Sequence, residues 1–172
     1  MKMKIRAAAI VIGLAALMPA AGNAATIIGA AQQAGDFTML LKAGKAAGVD
    51  KALEGKGPFT LFAPNDAAFA KVPKAKLDDL MKPANLEMLK TTLGSHLATG
   101  ILSMQAIEAG LANNGAVVVT TVNNMPLIFK REGGAMTVNG AKLIKPPMRV
   151  DNGLVYVIDT VLVPPMPLQP VY

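Results

Sequence analysis

The chain has 172 residues, with 17 Lys and Arg, 11 Asp and Glu, one His and no Cys. Without cysteine it can form no disulfide framework, thiolate metal site, iron–sulfur cluster or cysteine nucleophile, and a single histidine rules out a His-rich zinc site. Apolar residues make up 52% of the chain and charged residues 16%, which argues against intrinsic disorder. The length fits one domain of ordinary size.

The first 24 residues have the layout of a secretory signal. A start containing three basic residues leads into an apolar stretch over residues 7–18, and Pro19 and the small residues Gly22 and Ala24 follow. That stretch is shorter than the roughly 20 apolar residues that a membrane-spanning helix needs. We therefore expect a secreted or periplasmic protein with no stable membrane span after signal removal. The mature region would carry 14 basic and 11 acidic residues, a net charge of +3.

The lysines of the first half do not predict a nucleic-acid partner. They are spaced among Ala and Gly, with no interleaved aromatic residues on which bases could stack. Such a pattern favours a solvated face, so we expect no nucleic-acid binding. These lysines are Lys42, Lys45, Lys51, Lys56, Lys71, Lys74 and Lys76.

The start of the mature region predicts helices. A short helix begins near Ile27 and is interrupted at Gly35. Asp36 is expected to cap a second helix that ends at Gly48, because acidic side chains accept hydrogen bonds from the first amides of a helix and glycine suits the stop. Residues 50–53 predict one further turn.

A short strand is predicted next, over residues 58–64, with prolines at both ends and β-forming side chains between them. Asn65 is expected to cap the following helix, with Asp66 in its first turn. Two further helices follow, of which the second begins after Asn85 and stops at Gly94.

A change of period marks the second half. Residues 95–99 predict a short strand that contains His96, and Ser103 is expected to cap a helix that ends at residues 113–115. From Ala116 onward the period is two, which predicts strands. They are expected at residues 117–121, 127–130, 136–138, 141–144, 154–158 and 161–163.

Three features refine the strand prediction. Asn139-Gly140 favours a type I′ hairpin, because both central residues of that turn need positive φ. Pro146-Pro147 is expected to interrupt the sheet. The strand at residues 154–158 is apolar on both faces and is expected at the centre of a covered sheet. With helices first and strands later, the sequence predicts an α+β fold.

Three segments together resemble the fasciclin domain family. They are T-L-F-A-P-N-D-A-A-F at residues 60–69, L-G-S-H-L-A-T-G at residues 93–100, and N-G-L-V-Y-V-I-D-T-V-L-V-P at residues 152–164. The resemblance implies a β-wedge with helices packed against it, a domain over residues 25–164 and a Pro-rich tail over residues 165–172.

The resemblance also implies candidate site residues. Ser95, His96 and Leu97 match the central motif and are candidate partner contacts, although Ser95 stands where the family usually has a tyrosine before the histidine. The residues themselves allow another interpretation, in which His96 is a hydrogen-bonded core or hinge histidine. The motif positions expected to support the fold are Thr60, Phe62, Pro64, Asn65, Asp66, Phe69, Asn152, Gly153, Ile158 and Asp159. Local structure alone explains two of these positions, Asn65 as a helix cap and Asn152 as a turn residue, and it is favoured over a functional role for both.

The sequence contains no recognisable catalytic constellation. If Ser95 and His96 are neighbours in a strand, their side chains point to opposite faces and form no nucleophile–base pair. There is no G-x-S-x-G motif and no acidic calcium loop. We therefore expect a protein that is not an enzyme and that holds no cofactor or metal.

The family resemblance implies a module for adhesion or extracellular-matrix interaction, with a cell-surface protein or polysaccharide as partner. An alternative is a carrier of an apolar small molecule such as a carotenoid or lipid, since some fasciclin-type proteins bind hydrophobic pigments. Methionine side chains suit either a core or an adaptable apolar groove. Eight follow the signal: Met39, Met81, Met88, Met104, Met125, Met136, Met148 and Met166.

Overall fold

The computed structural model describes residues 26–163, so the predicted signal and the predicted Pro-rich tail lie outside the described residues. Helices dominate the first half and strands the second, which confirms the α+β prediction. The helices are α1 (Ile27–Ala34), α2 (Thr38–Ala47), α3 (Asp50–Leu53), α4 (Asp66–Ala70), α5 (Lys74–Leu80), α6 (Leu86–Gly94) and α7 (Met104–Asn114), with a short 3-10 helix at Pro83–Asn85. The strands are β1 (Phe59–Pro64), β2 (Leu97–Thr99), β3 (Val117–Thr120), β4 (Pro126–Glu132), β5 (Ala135–Val138), β6 (Ala141–Val150) and β7 (Gly153–Ile158).

The strands form one curled sheet in the order β2-β1-β7-β6-β5-β4-β3. Strands β1 and β7 run parallel, with Phe59 opposite Gly153 and Pro64 opposite Ile158, and the other neighbours are antiparallel. The sheet curls far enough for β2 to meet β3 at a single bridge between Ala98 and Thr121. It is therefore close to a barrel.

Two apolar cores lie on the two faces of this sheet. One, which we call the helix-side core, packs α1 to α6 against the outer face of β1 and β7 and includes Phe37, Leu93 and Val155. The other fills the inside of the curl, where Ile107 of α7 packs with Tyr156. Every residue of β7 is buried, which confirms that this strand is central and covered on both faces.

Several predicted helix ends are confirmed. The Asn65 Oδ1 atom accepts the Ala68 N–H at 2.8 Å, and the Ser103 Oγ atom accepts the Ala106 N–H at 3.2 Å. Gly48 ends α2 with φ at 68°. Asn85 does precede α6, but its side chain makes no cap and instead donates to the Asp79 carbonyl at 2.8 Å.

The cap predicted for α2 is wrong. Asp36 does not cap this helix, and Phe37 occupies the position before it without a side-chain bond to its amides. The carboxylate of Asp66 accepts the Thr38 and Met39 N–H groups instead, at 3.2 and 2.8 Å. The same chemistry is supplied from the start of another helix, which local sequence does not reveal.

Three strand predictions also need correction. Strand β2 begins at Leu97, so Ser95 and His96 lie in the turn that follows α6. Residues 161–163 form no strand. The prolines at 146 and 147 do not end β6, because register shifts against β7 accommodate them within the strand. The hairpin prediction is confirmed, with φ at 48° for Asn139 and 83° for Gly140.

Candidate functional site

The three segments that carry the family resemblance come together at one place in the fold. Strand β1 from the first segment is flanked by β2 from the second and by β7 from the third. Phe62 in β1 lies opposite Tyr156 in β7, and their rings stack with centroids 5.4 Å apart. The segments thus form three adjacent strands, and their polar residues can be considered as one group.

His96 joins three elements of this group. Its Nδ1 atom lies 2.7 Å from the Thr92 carbonyl in α6, and its Nε2 atom lies 2.9 Å from the Leu162 amide nitrogen after β7. Because an amide can only donate, Nε2 is the acceptor and Nδ1 carries the proton. The His96 carbonyl also accepts the Phe62 N–H of β1 at 2.8 Å.

Burial keeps this imidazole neutral. The residue is 1% exposed, and desolvation lowers the pKa of His96 to about 4, although the hydrogen bond to the Thr92 carbonyl acts in the opposite direction. Protonation of Nε2 would also set a donor against the Leu162 N–H. The geometry therefore favours a neutral, structural histidine at the pH of most cells.

Ser95 and Leu97 are as enclosed as the histidine between them. The Ser95 Oγ–H donates to the Thr91 carbonyl at 2.9 Å, and Leu97 packs in the helix-side core. Both ring nitrogens of His96 are already bonded, so the ring has no free atom to act as a base for Ser95. Since the three residues are 3%, 1% and 6% exposed, a partner could touch their side chains only if the turn opened. Their assignment as partner contacts stays a prediction.

Thr60 and Tyr156 fix the segment that leads from β2 to α7. The Thr60 Oγ1 atom donates to the Gly100 carbonyl at 2.7 Å and accepts the Leu102 N–H at 3.0 Å. The Tyr156 hydroxyl donates to the Leu102 carbonyl at 2.6 Å. Burial raises the pKa of this phenol to about 12, so it keeps its proton.

The junction after β1 connects two helices. Asn65 caps α4, while Asp66 reaches across to the first amides of α2. Pro64 stands opposite Ile158 in the parallel pair, and Phe69 of α4 is buried in the helix-side core. Asn65 and Asp66 therefore both have a structural role in joining β1, α4 and α2.

Asn152 does more than the turn that sequence predicted. Its Oδ1 atom accepts the Ile27 N–H at 3.0 Å, and its Nδ2 group donates to the carbonyls of Leu53 and Gly55 at 2.7 and 3.1 Å. The side chain thus ties the start of α1 and the end of α3 to the start of β7. A Cβ atom on the next residue, Gly153, would collide with the carbonyl of Phe59 in β1, which accounts for the glycine.

Asp159 closes the other end of β7. Partial burial opposes its charge, but bonds from the Lys142 amide, the Lys71 ammonium and the Thr160 hydroxyl outweigh that effect and lower the pKa of Asp159. The Lys142 N–H lies 2.8 Å away and the Lys71 Nζ atom 3.1 Å away. Ile158, just before it, is fully buried.

Two hollows in the helical half differ in their capacity for a ligand. The apolar cavity between α1, α2 and β1 measures about 30 Å³, the space of one water molecule. An open groove between α2, α4 and α5 measures about 430 Å³. Its apolar lining comes from Met39, Phe69, Val72 and Leu77, and its charged residues are Asp66, Lys71 and Lys74. This groove falls in the size range of small-molecule sites.

Two further observations concern metals and membranes. Among residues 26–163, no group of three or more His, Asp or Glu side chains is placed to hold a metal ion. In the same part of the chain, no helix has the length and apolar character needed to cross a bilayer.

Sequence reasoning missed the long reach of Asn152 and Asp66 and the groove around Met39. For the two side chains, the available signal is a polar residue at the end of an apolar strand. A local role as a cap or in a turn does not use all the hydrogen-bonding groups of such a residue, so a second, distant partner can be expected. The groove has no comparable signal, because its lining residues are scattered over three helices.

Comparison with known proteins agrees with this geometry. The family model for the fasciclin domain matches residues 35–164, which include all three segments. The chain therefore belongs to the fasciclin domain family.

Two relatives and one solved structure show how the domain recurs. Protein sll1483 of Synechocystis is 34% identical over 86% of this chain and 78% of its own length. Transforming growth factor-beta-induced protein ig-h3 of Sus scrofa is 31% identical over 74% of this chain but only 18% of its own length. A fasciclin domain pair from the insect cell adhesion molecule Fasciclin I has a TM-score of 0.72 and 21% identity, covering 81% of this chain and 51% of that one. The last likeness concerns the fold alone.

Proposed function

We propose that this protein is an exported, non-enzymatic adhesion module that attaches to a cell-surface protein or polysaccharide. The fasciclin family supports this role, since one solved fasciclin domain pair comes from an insect cell adhesion molecule. The signal-like first 24 residues support export. The protein acts in the periplasm or outside the cell.

The observation that carries the proposal concerns the hydrogen-bond partners of the polar side chains in the three family segments. Asn65, Asp66, Asn152, Asp159 and His96 all bind the chain's own backbone. Within residues 26–163, every buried side-chain nitrogen or oxygen has a hydrogen-bond partner. Recognition is then left to exposed side chains such as Lys42 and Lys45 of α2, for which no ion pair is formed within the described residues.

A pull-down tests this proposal. The immobilised mature protein is incubated with cell-envelope fractions and surface polysaccharides, and retained material is identified by mass spectrometry and sugar analysis. A folded variant with Lys42→Gln and Lys45→Gln is the matched control, because loss of retention there and at high salt identifies an acidic partner. Failure to retain any partner above an unrelated protein of equal net charge contradicts the proposal.

Export is tested separately by the intact mass of the protein recovered outside the cytoplasm. We expect a mature chain that begins after Ala24. Retention of Met1 in the exported material contradicts the signal assignment.

The groove between α2, α4 and α5 favours a second candidate function, a carrier of an apolar small molecule such as a carotenoid or lipid. Its volume and its lining by Met39, Phe69, Val72 and Leu77 suit an apolar ligand. The enclosed cavity beside α1 is too small for one.

Native purification, solvent extraction and an absorption spectrum test the carrier function. Leu77→Asp should abolish binding of added pigment or lipid, because it puts a charge in the groove. Leu80→Asp is the control on the same helix, since Leu80 is also half-buried but does not line the groove. A colourless, lipid-free protein that binds no added ligand removes this candidate.

A further inference from the structure

The groove between α2, α4 and α5 has an apolar interior. The most buried side chain that lines it is Phe69, which is 6% exposed and packs in the helix-side core. Met39, Val72 and Leu77 are half-buried and pack against the same core, so each also presents apolar surface to the groove. A flexible methionine beside an aromatic ring adapts to chains of varied shape. The interior therefore suits a slender hydrocarbon.

Three charged residues also line the groove, and their charges are not equally available. The Asp66 carboxylate accepts two N–H groups in the first turn of α2, at 3.2 and 2.8 Å. The Lys71 ammonium lies 3.1 Å from the Asp159 carboxylate. Lys74 is exposed and forms no ion pair within residues 26–163. The groove thus offers a ligand one free cation, while its carboxylate already binds two amides.

Lys74 connects the apolar interior with the surrounding water. Leu77 lies three residues after it in α5, so the two side chains share a face of that helix. The ammonium group on its flexible four-carbon stem can meet an anionic group at the mouth of the groove while the rest of the ligand contacts Leu77. An ammonium and a carboxylate form a short, charge-assisted hydrogen bond. The pair therefore fits a ligand with an anionic head and an apolar chain.

The volume of the groove limits the length of that chain. A methylene group takes about as much space as a water molecule, about 30 Å³, so the groove volume of about 430 Å³ corresponds to roughly 14 methylene groups. A second acyl chain, or the long polyene of a carotenoid, would extend beyond the groove into water. The size therefore favours an amphiphile with a single chain.

We propose that this groove binds a free fatty acid, with its carboxylate at Lys74 and its alkyl chain against Met39, Phe69 and Leu77. The inference rests on the carrier function proposed above and deepens it, because it names the head group and the chain length of the ligand. The carboxylate stays in water at the mouth, so binding buries no unpaired charge. Each methylene group added within the groove strengthens binding by up to about fourfold, because it removes apolar surface from water.

Helix α5 is the part of the groove that a bound chain should stabilise most. None of its seven residues is fully buried. Elements with few buried apolar contacts open locally at low cost in free energy. A chain that contacts Leu77 adds apolar contacts to this helix, so bound fatty acid should slow amide exchange in α5.

Isothermal titration calorimetry of the delipidated mature protein tests the proposal. The probes are saturated fatty acids of about 8 to about 18 carbons, each kept below the concentration at which it forms micelles. Dodecanol and dodecylamine carry the chain of dodecanoate with a neutral and a cationic head. Lys74→Gln removes the free cation. Lys76→Gln is the matched control, because Lys76 is also exposed and without an ion pair in the described residues, lies in the same helix and does not line the groove.

We expect the affinity to rise with chain length up to about 14 carbons and then to level off. Dodecanoate should bind at least about fivefold more tightly than dodecanol or dodecylamine. Lys74→Gln should remove this preference, whereas Lys76→Gln should leave it unchanged. Amide exchange should slow in α5 when dodecanoate is added. Circular dichroism melts confirm that both variants are folded.

Several outcomes overturn the fatty-acid proposal but leave the carrier function standing. They are equal binding of the three twelve-carbon probes, an equal loss of affinity in the two lysine variants, and binding of a carotenoid without binding of any fatty acid. Failure to bind either kind of ligand contradicts both. Co-sedimentation with phosphatidylglycerol vesicles, without binding of monomeric dodecanoate, assigns Lys74 to a membrane surface and overturns the proposal as well.

Discussion

Strands β1, β2 and β7 differ from strands β3 to β6 in how they are held. In the first group, buried polar side chains connect elements far apart in sequence, as Asn152 does when it binds Leu53, 99 residues away. In the second group, neighbouring strands pair through short turns such as Asn139-Gly140. The first group depends on a few internal hydrogen bonds, and the second on local backbone conformation. Mutations should therefore have larger effects in the first.

The strongest test of this difference is Asn152→Ala. The change leaves the Ile27 N–H and the Leu53 carbonyl buried without partners, so we expect a loss of about 4 kcal/mol in the free energy of unfolding. Urea denaturation monitored by circular dichroism measures it. Asn139→Ala is the control, because that side chain also makes two backbone hydrogen bonds but is exposed, and it should cost about 1 kcal/mol. Equal losses at the two positions contradict the comparison.

Acidification should weaken the first group through His96. In the unfolded chain the imidazole has its ordinary pKa of 6.5, whereas in the folded protein the pKa is about 4 because of burial. The unfolded state then binds more protons between these values, so stability is complete above pH 6.5 and falls as the pH drops toward 4. The total loss is about 3 kcal/mol.

Urea denaturation at several values between about pH 7 and pH 4.5 measures this loss. Asp159 does not disturb that window, because its pKa is already lowered below 3.8 and its contribution is lost only in stronger acid. The variant His96→Asn should be less stable at neutral pH but should lack the decline over this window. A decline of the same size in the variant shows that another group is responsible.

The difference between the regions also explains what sequence could predict. The hairpin at Asn139-Gly140 and the cap at Asn65 are local, and both are recognisable within a few residues. The reach of Asp66 to α2 depends on where two helices pack, which no local pattern contains. The apolar neighbours of His96 predict a strand, but its hydrogen bonds to Thr92 and Leu162 fix it in the turn after α6.

Changing the turn itself tests the second group. The double change Asn139→Ala and Gly140→Ala puts alanine at two positions with positive φ, where asparagine and glycine are favoured, and we expect it to cost about 2 kcal/mol. Thermal denaturation measures the effect, and Asn113→Ala on the exposed side of α7 serves as a neutral control. An unchanged melting temperature would refute the importance of this turn.

The smallest predicted effect separates Asp36, which the sequence predicts as the cap of α2, from Asp66, which accepts the first amides of that helix. Asp66→Ala removes the acceptor of the Thr38 and Met39 N–H groups and should cost about 1 kcal/mol. Asp36→Ala removes a half-exposed ion pair with Lys145 and should cost less than about 0.5 kcal/mol.

Chemical denaturation of both variants measures the difference, and Asp66→Asn sharpens it, because an amide oxygen still accepts one of the two N–H groups. Recovery of part of the lost stability in that variant shows that hydrogen bonding to α2, rather than charge alone, is the stabilising interaction. A larger loss for Asp36→Ala than for Asp66→Ala would show that Asp36 contributes more than Asp66 to the stability of α2. It would also contradict the importance of a long-range contact made by a residue that directly follows the first group of strands.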